Sequence, residues 1–158
     1  MSATSYPAEP EFAAASERVV WEALMEQLPD DASVIVGQRI TDHAREVEID
    51  LLVLWPGAGI LAIEVKGGTV SVKDGEWYQS DGGGSRVLPR TPIEQIRLAK
   101  HGLNEFMKGR VSFPLGRIAH AVVLPYTQAP PKWAVPDAPR HLVAFAEDMN
   151  GLVGFAAQ

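Results

Sequence analysis

Three charged residues sit where charge is expensive. Asp50, Glu64 and Lys66 interrupt the most apolar runs of the chain, Glu48–Leu54 (EIDLLVL) and Ile60–Lys66 (ILAIEVK). An unpaired charge in a core is costly, so each needs a partner, a metal ion or a task. The link Trp55–Gly59 (WPGAG) reads as a tight turn between two strands. A hairpin turning about Gly57 sets Leu54 against Ile60, Leu52 against Ala62 and Asp50 against Glu64. Facing residues share a side of the sheet, with Cβ atoms roughly 5 Å apart. Side-chain alternation brings Lys66 to that side too. Two opposed carboxylates repel and call for a cation between them. Two carboxylates with retained waters are a usual Mg²⁺ donor set. Lys66 could then orient or deprotonate an attacking water, or neutralise charge developing on a phosphorane. Those are the requirements of metal-assisted phosphodiester hydrolysis. The same charges also read as a buried ion network, and spacing alone leaves both readings open.

Composition narrows the chemistry. The chain has 158 residues, a length that suits one domain with a real core. It has no cysteine, which removes disulfides, thiol nucleophiles and thiolate metal sites. His43, His101, His120 and His141 stand at no helical metal spacing. A metal here would be held by oxygen, which favours Mg²⁺ or Mn²⁺. No apolar run is long enough to span a bilayer, and Met1–Glu11 lacks the basic start and apolar stretch of a signal peptide, so a cytoplasmic protein is expected.

The elements that must position the three residues are legible around them. Residues 1–10 read as a disordered lead-in, with one domain over 11–158. Residues 11–28 read as a helix with Val20, Trp21, Leu24 and Leu28 on one face. Ser33–Ile40 reads as a strand. Thr69–Val72 and Glu76–Gln79 flank Lys73-Asp74-Gly75 and read as a second hairpin; Asp81–Ser85 reads as a loop tip. Thr91-Pro92-Ile93-Glu94 is a capping box that opens a second helix, expected to stop at Gly109. Ile118–Leu124 and His141–Ala146 read as two more strands, separated by a Pro-rich loop. The order is α-β-β-β-(β-hairpin)-α-β-β. This predicts an α/β (α+β) domain with a mixed sheet flanked by helices.

With these elements in place, a resemblance becomes specific. Asp50 followed after a hairpin by Glu64-Val65-Lys66 resembles the D…E-x-K signature of the PD-(D/E)XK nuclease superfamily. More narrowly, SERVVWEAL, EIDLLVL, IEVKGG ending at Gly68, DGEWYQ and PIEQIRLAKHGL occur in the order of the nuclease-related domain family, NERD, over about Ser16 to Leu152. The resemblance implies a restriction-endonuclease-like fold and a Mg²⁺- or Mn²⁺-dependent deoxyribonuclease acting in DNA processing or repair. It implies that Asp50 and Glu64 bind the metal with the Val65 carbonyl as a third oxygen, and that Lys66 is the catalytic lysine. Glu17 resembles the first-helix glutamate that assists the metal. It shares the core-side face of its helix, whereas Glu22 falls on the solvated side. Gln95 resembles a glutamine that approaches the site from the second helix. The superfamily's Pro before the first acid is absent, since Ile49 precedes Asp50. Gly67-Gly68 reads either as a close approach for a phosphate or as a turn.

Charge distribution supplies a partner surface. The net charge is −6, yet residues 1–50 carry 11 acids against 3 Lys/Arg while residues 86–117 carry 7 Lys/Arg against 2 acids. Such asymmetry hints at a polyanion-facing segment, and a solvated helix face is the other reading. Arg90, Arg97 and Lys100 are the candidates for DNA phosphate contact. The resemblance also allows a catalytically weak nucleic-acid-binding or accessory module, set beside a helicase or another domain in a longer chain. No dinucleotide fingerprint, P-loop or nucleophile-elbow motif supports a small-molecule enzyme.

Overall fold

The turn at Trp55–Gly59 closes as its composition requires. The Ala58 N–H donates to the Trp55 carbonyl at 2.9 Å, and Gly57 holds a φ of +87°, which a side chain would resist. The strands on either side are β3 (Glu46–Trp55) and β4 (Gly59–Val65), with Leu54 opposite Ile60 and Leu52 opposite Ala62. The computed structural model describes residues 3–41, 46–108 and 118–156.

In chain order the remaining elements are β1 (Thr4–Tyr6), α1 (Ala15–Gln27), β2 (Ser33–Thr41), β5 (Thr69–Lys73), β6 (Glu76–Ser80), β7 (Ser85–Val87), α2 (Pro92–Met107), β8 (Ile118–Val123), β9 (Val143–Ala144) and α3 (Leu152–Ala156). The main sheet runs β1-β2-β3-β4-β8-β9 and is mixed. Antiparallel pairs join β2, β3 and β4; parallel pairs join β1 to β2, β4 to β8 and β8 to β9. The fold is the mixed α/β layering expected.

Both faces of the central strands are covered, which explains why they are apolar on both sides apart from Asp50 and Glu64. On one face Leu52, Ala62, Ile118 and Val122 pack with Ile93, Ile96, Ala99 and Leu103 of α2. On the other, Leu51, Val53, Ile63 and Val123 pack with Val20, Leu24 and Leu28 near α1 and with Leu152. Leu24 and Leu51 are fully buried, each worth roughly 2 kcal/mol of apolar transfer. Helix α2 starts as its sequence signals, with Thr91 Oγ1 accepting from the Glu94 N–H at 3.2 Å and Pro92 in the first turn. The expected stop at Gly109, and Arg110 and Arg117, lie outside the described residues.

Four segments differ from the sequence reading, the first being helix α1, which starts at Ala15 and not at Glu11. The lead-in is not structureless: Thr4–Tyr6 runs parallel to Ser33–Ile35. Local polarity suggested disorder, but long-range bonds decide. The Thr4 N–H donates to the Ala32 carbonyl at 3.0 Å, and the Trp21 indole N–H donates to Ser5 Oγ at 3.0 Å. The strand expected over His141–Ala146 shrinks to Val143–Ala144, with 3₁₀ turns on both sides. Asp148 causes the curl: it accepts the Phe145 N–H at 2.8 Å and pairs with Arg140 at 3.0 Å, taking Phe145 out of the ladder. The second hairpin gains a third strand, β7, so the arm is a small sheet β5-β6-β7. Trp77 anchors this arm from beneath, edge-on to Trp133 at 5.6 Å, and Trp133 meets Phe145 edge-on at 5.3 Å.

Candidate active site

Asp50 stands where the side-chain alternation of β3 slips. Strict alternation would put Ile49 and Leu51 on one face. Instead Ile49 joins the α2-side core and Leu51 the α1-side core. In β2, Gly37 lies between the partners of those two residues with a φ of +66°, a conformation that suits glycine. The β3–β4 ladder ends at Leu51–Ile63, so Asp50 and Glu64 are not a ladder pair as the hairpin register predicted. The twist at Asp50 is the reason. Its carboxylate turns to the end of β4, where Oδ2 accepts the Val65 N–H at 2.9 Å.

The charges still converge. Asp50 and Glu64 line one cleft of about 260 Å³, together with Gln95, Arg90, Glu46 and Glu48. Glu64 is only 6% exposed, and Lys66 Nζ lies 3.4 Å from its Oε1. The Lys66 N–H donates to the Val123 carbonyl at 3.1 Å, which fixes this residue at the matching ends of β4 and β8.

Burial and mutual repulsion dominate the electrostatics. Burial first, then the Asp50 charge, pushes Glu64 up to about 8; Lys66 opposes both. Burial, then Asp50 and Glu48, raises Glu17 to about 7. Asp50 is raised by burial, against the pull of the Val65 N–H and Lys66. Glu17, Asp50 and Glu64 therefore share one field, and α1 brings Glu17 to it. Glu22 is exposed and pairs with Arg18 at 3.8 Å.

Gln95 adds a separate signal. Its Oε1 is buried and has no hydrogen-bond partner. A buried acceptor left unpaired costs about 1–3 kcal/mol, which sets Gln95 apart from the other residues lining the cleft. Among the described residues, no three His, Asp or Glu side chains form a ready-made cage for a metal. The carboxylates that line the cleft are Asp50, Glu64, Glu46 and Glu48. That oxygen-only set suits a hard divalent cation that keeps several waters.

The basic candidates divide. Arg90 lines the cleft. Arg97 and Lys100 lie roughly 140–160° around α2 from Gln95. Arg97 Nη2 donates to the Asp137 carbonyl at 3.2 Å, and Lys100 Nζ lies 2.9 Å from His120 Nδ1. Burial, then Lys100 and Arg97, lowers His120 to about 4.

Sequence reasoning missed Glu48, Ser16 and His120. Glu48 was recoverable, since alternation puts it on the Asp50 side. Ser16 had no local signal. It is buried where a Cβ on Gly67 would meet its Oγ at 2.9 Å, so Gly67 permits α1 to close on the end of β4. Gly68 has a φ of +62°, and a Cβ there would collide with the Ser80 carbonyl. The glycine pair serves the docking of helix and arm.

A layered α/β domain with an acid-lined cleft at its strand ends is thus defined. A family model described as the nuclease-related domain, NERD, matches residues 13–125, and the chain belongs to that family. No curated protein and no solved structure gives a significant match.

Proposed function

We propose that the chain is a Mg²⁺- or Mn²⁺-dependent deoxyribonuclease domain of PD-(D/E)XK type, acting in DNA processing or repair. The observation that carries this is the convergence of Asp50, Glu64 and Lys66 beside the unpartnered Gln95 Oε1. The residues fit the implied cation. Asp50 and Glu64 would hold it, with the Val65 carbonyl as a third oxygen and Glu17 assisting through water. When bound, the cation supplies Lewis-acid polarisation of a phosphodiester and makes water more acidic.

The chain's own groups would do the rest. Gln95 Oε1 accepts a hydrogen from water held in the cleft and so orients it. The Lys66 ammonium neutralises negative charge as it develops on the phosphate, an interaction strongest in the transition state. Arg90 at the cleft wall takes a non-bridging phosphate oxygen, and its fork geometry suits that contact. Arg97 and Lys100, further round α2, would touch only nucleic acid that extends past the cleft.

Cleavage of single- and double-stranded DNA in Mg²⁺, Mn²⁺ and EDTA tests the proposal. Metal-dependent strand breaks that vanish with Asp50→Ala support it. Binding without cleavage in either metal would leave an accessory nucleic-acid module.

A further inference from the structure

Tyr126 lies at a turn beside the cleft end of the sheet, and nothing so far uses it. Strand β8 runs into this turn, which closes with the Thr127 N–H donating to the Leu124 carbonyl at 3.2 Å. The neighbouring bonds pin it further. Thr127 Oγ1 accepts the Val70 N–H at 2.9 Å, and the Thr127 carbonyl accepts the Ala146 N–H at 2.8 Å. The backbone is thus tied to the arm on one side and to the C-terminal turns on the other. The residue is nevertheless 49% exposed. A large planar side chain on a fixed backbone, left in water, is a preorganised contact surface.

Its place gives the contact a direction. The ring's Cε2 would lie 3.9 Å from a Cβ on Gly67, the residue next to Lys66. Gly67 is half-buried, with Ser16 closing on the side where a Cβ would stand, and it links Tyr126 to the arm through its main chain. On the arm side, Gln79 Nε2 donates to the Gly67 carbonyl at 2.9 Å, and Arg86 Nη2 donates to Gln79 Oε1 at 3.0 Å. The Arg86 guanidinium is exposed and aimed by this relay. Tyr126, Gly67, Gln79 and Arg86 therefore form one connected run of contacts that starts next to Lys66.

We infer that a single nucleic-acid strand leaves the cleft alongside the Tyr126–Arg86 run, with an unpaired base stacked on Tyr126 and a phosphate held by Arg86. This rests on the nuclease reading and adds to it a substrate class. A π-face and an adjacent cation are the pairing used for unpaired strands. Inside a duplex both faces of a base are already covered by its neighbours, so only the two end pairs offer the ring a face.

The test compares a labelled short oligothymidylate, an oligouridylate and a blunt DNA duplex, with affinity measured in EDTA so that no strand is cut. Tyr126→Ala and Tyr126→Leu should each lose roughly five- to a hundredfold in single-strand affinity, while Tyr126→Phe keeps it and duplex affinity is unchanged. Arg86→Gln should weaken the single strand and reduce the slope of log affinity on log salt by about 0.7. The oligouridylate distinguishes a site for either sugar from one for deoxyribose. Hydrolysis of a chromogenic nitrophenyl phosphodiester with Mn²⁺ reports the cleft independently of any strand. It should be the same in wild type and Tyr126→Ala. If Tyr126→Ala binds the single strand as wild type does while the wild type still hydrolyses the small diester, stacking is overturned and the nuclease reading stands. A wild type that neither binds strands nor hydrolyses the diester overturns both.

Discussion

Lys66 holds its ammonium 3.4 Å from the Glu64 carboxylate at the end of a strand whose preceding residues are core. The two side chains are 19% and 8% exposed, so water screens them little. Removing the lysine separates a structural ion pair from a working one. Breaking a buried pair typically costs about 3–5 kcal/mol. Glu64 can escape part of that by keeping a proton, because burial already holds its carboxyl well above the ordinary range. Lys66→Ala is expected to lose cleavage, to lose about 1–3 kcal/mol in EDTA, and to recover most of that in Mn²⁺. Glu64→Ala should lose cleavage and metal response together. Urea melts with and without Mn²⁺, beside cleavage rates, check this. A stability loss in Lys66→Ala that Mn²⁺ leaves untouched would mark a structural pair.

The acids predict an unusual pH dependence. Glu64 and Glu17 move from 4.5 to about 8 and about 7 in the folded chain. Native protein therefore binds more protons than unfolded chain between those values, and unfolding free energy falls as pH rises through the window. The metal-free protein should be more stable at pH 5 than at pH 8.5. Glu64→Gln should flatten the slope. Thermal midpoints in EDTA across this range decide it, and a midpoint that rises with pH would contradict the burial-raised acids. Added Mn²⁺ should stabilise more at the alkaline end, where both carboxylates are free to bind it.

Arg90 and the Arg97–Lys100 pair should behave differently. Arg90→Gln, at the cleft wall, is expected to weaken DNA binding and lower its salt slope by about 0.7–0.9. The Arg97→Gln/Lys100→Gln variant should do less, because those side chains face the Asp137 carbonyl and His120. Salt titrations of binding distinguish the two variants, and equal losses would extend the phosphate path around α2.

Gly68→Ala should loosen the arm. The substitution imposes both a positive φ and a collision with the Ser80 carbonyl, together about 2–4 kcal/mol. Gly67→Ala meets Ser16 Oγ at 2.9 Å and Ser16 Cβ at 3.0 Å but needs no positive φ and strikes no backbone, and should cost less. Denaturant midpoints rank them; Trp77 fluorescence should change with Gly68→Ala, since its indole anchors the arm.

How far the chain reveals itself depends on what each element leans on. The β3–β4 hairpin is legible because apolar runs, turn residues and register agree, and Leu52 does face Ala62. The start of α2 is legible because Thr91 caps it locally. Asp50 was found as a charge out of place, but its twist was not, because the slip depends on Gly37 in a neighbouring strand. The strand at Thr4–Tyr6 was missed because its bonds reach Ala32 and Trp21, far along the chain. Arg90 precedes α2 and lines the cleft, whereas helical rotation turns Arg97 and Lys100 away from the Gln95 side, which proximity in sequence does not reveal.

The short ribbon Thr4–Tyr6 has a consequence for how the molecule behaves in company. It covers one rim of the main sheet by occupying the backbone of Ser33–Ile35. An uncovered rim offers open N–H and C=O groups to the sheet of another molecule. Residues Val34, Ile35 and Val36 are apolar and β-branched, the composition that zips between chains. Deleting residues 1–7 should therefore show first as concentration-dependent association in light scattering, before any change in the cleft.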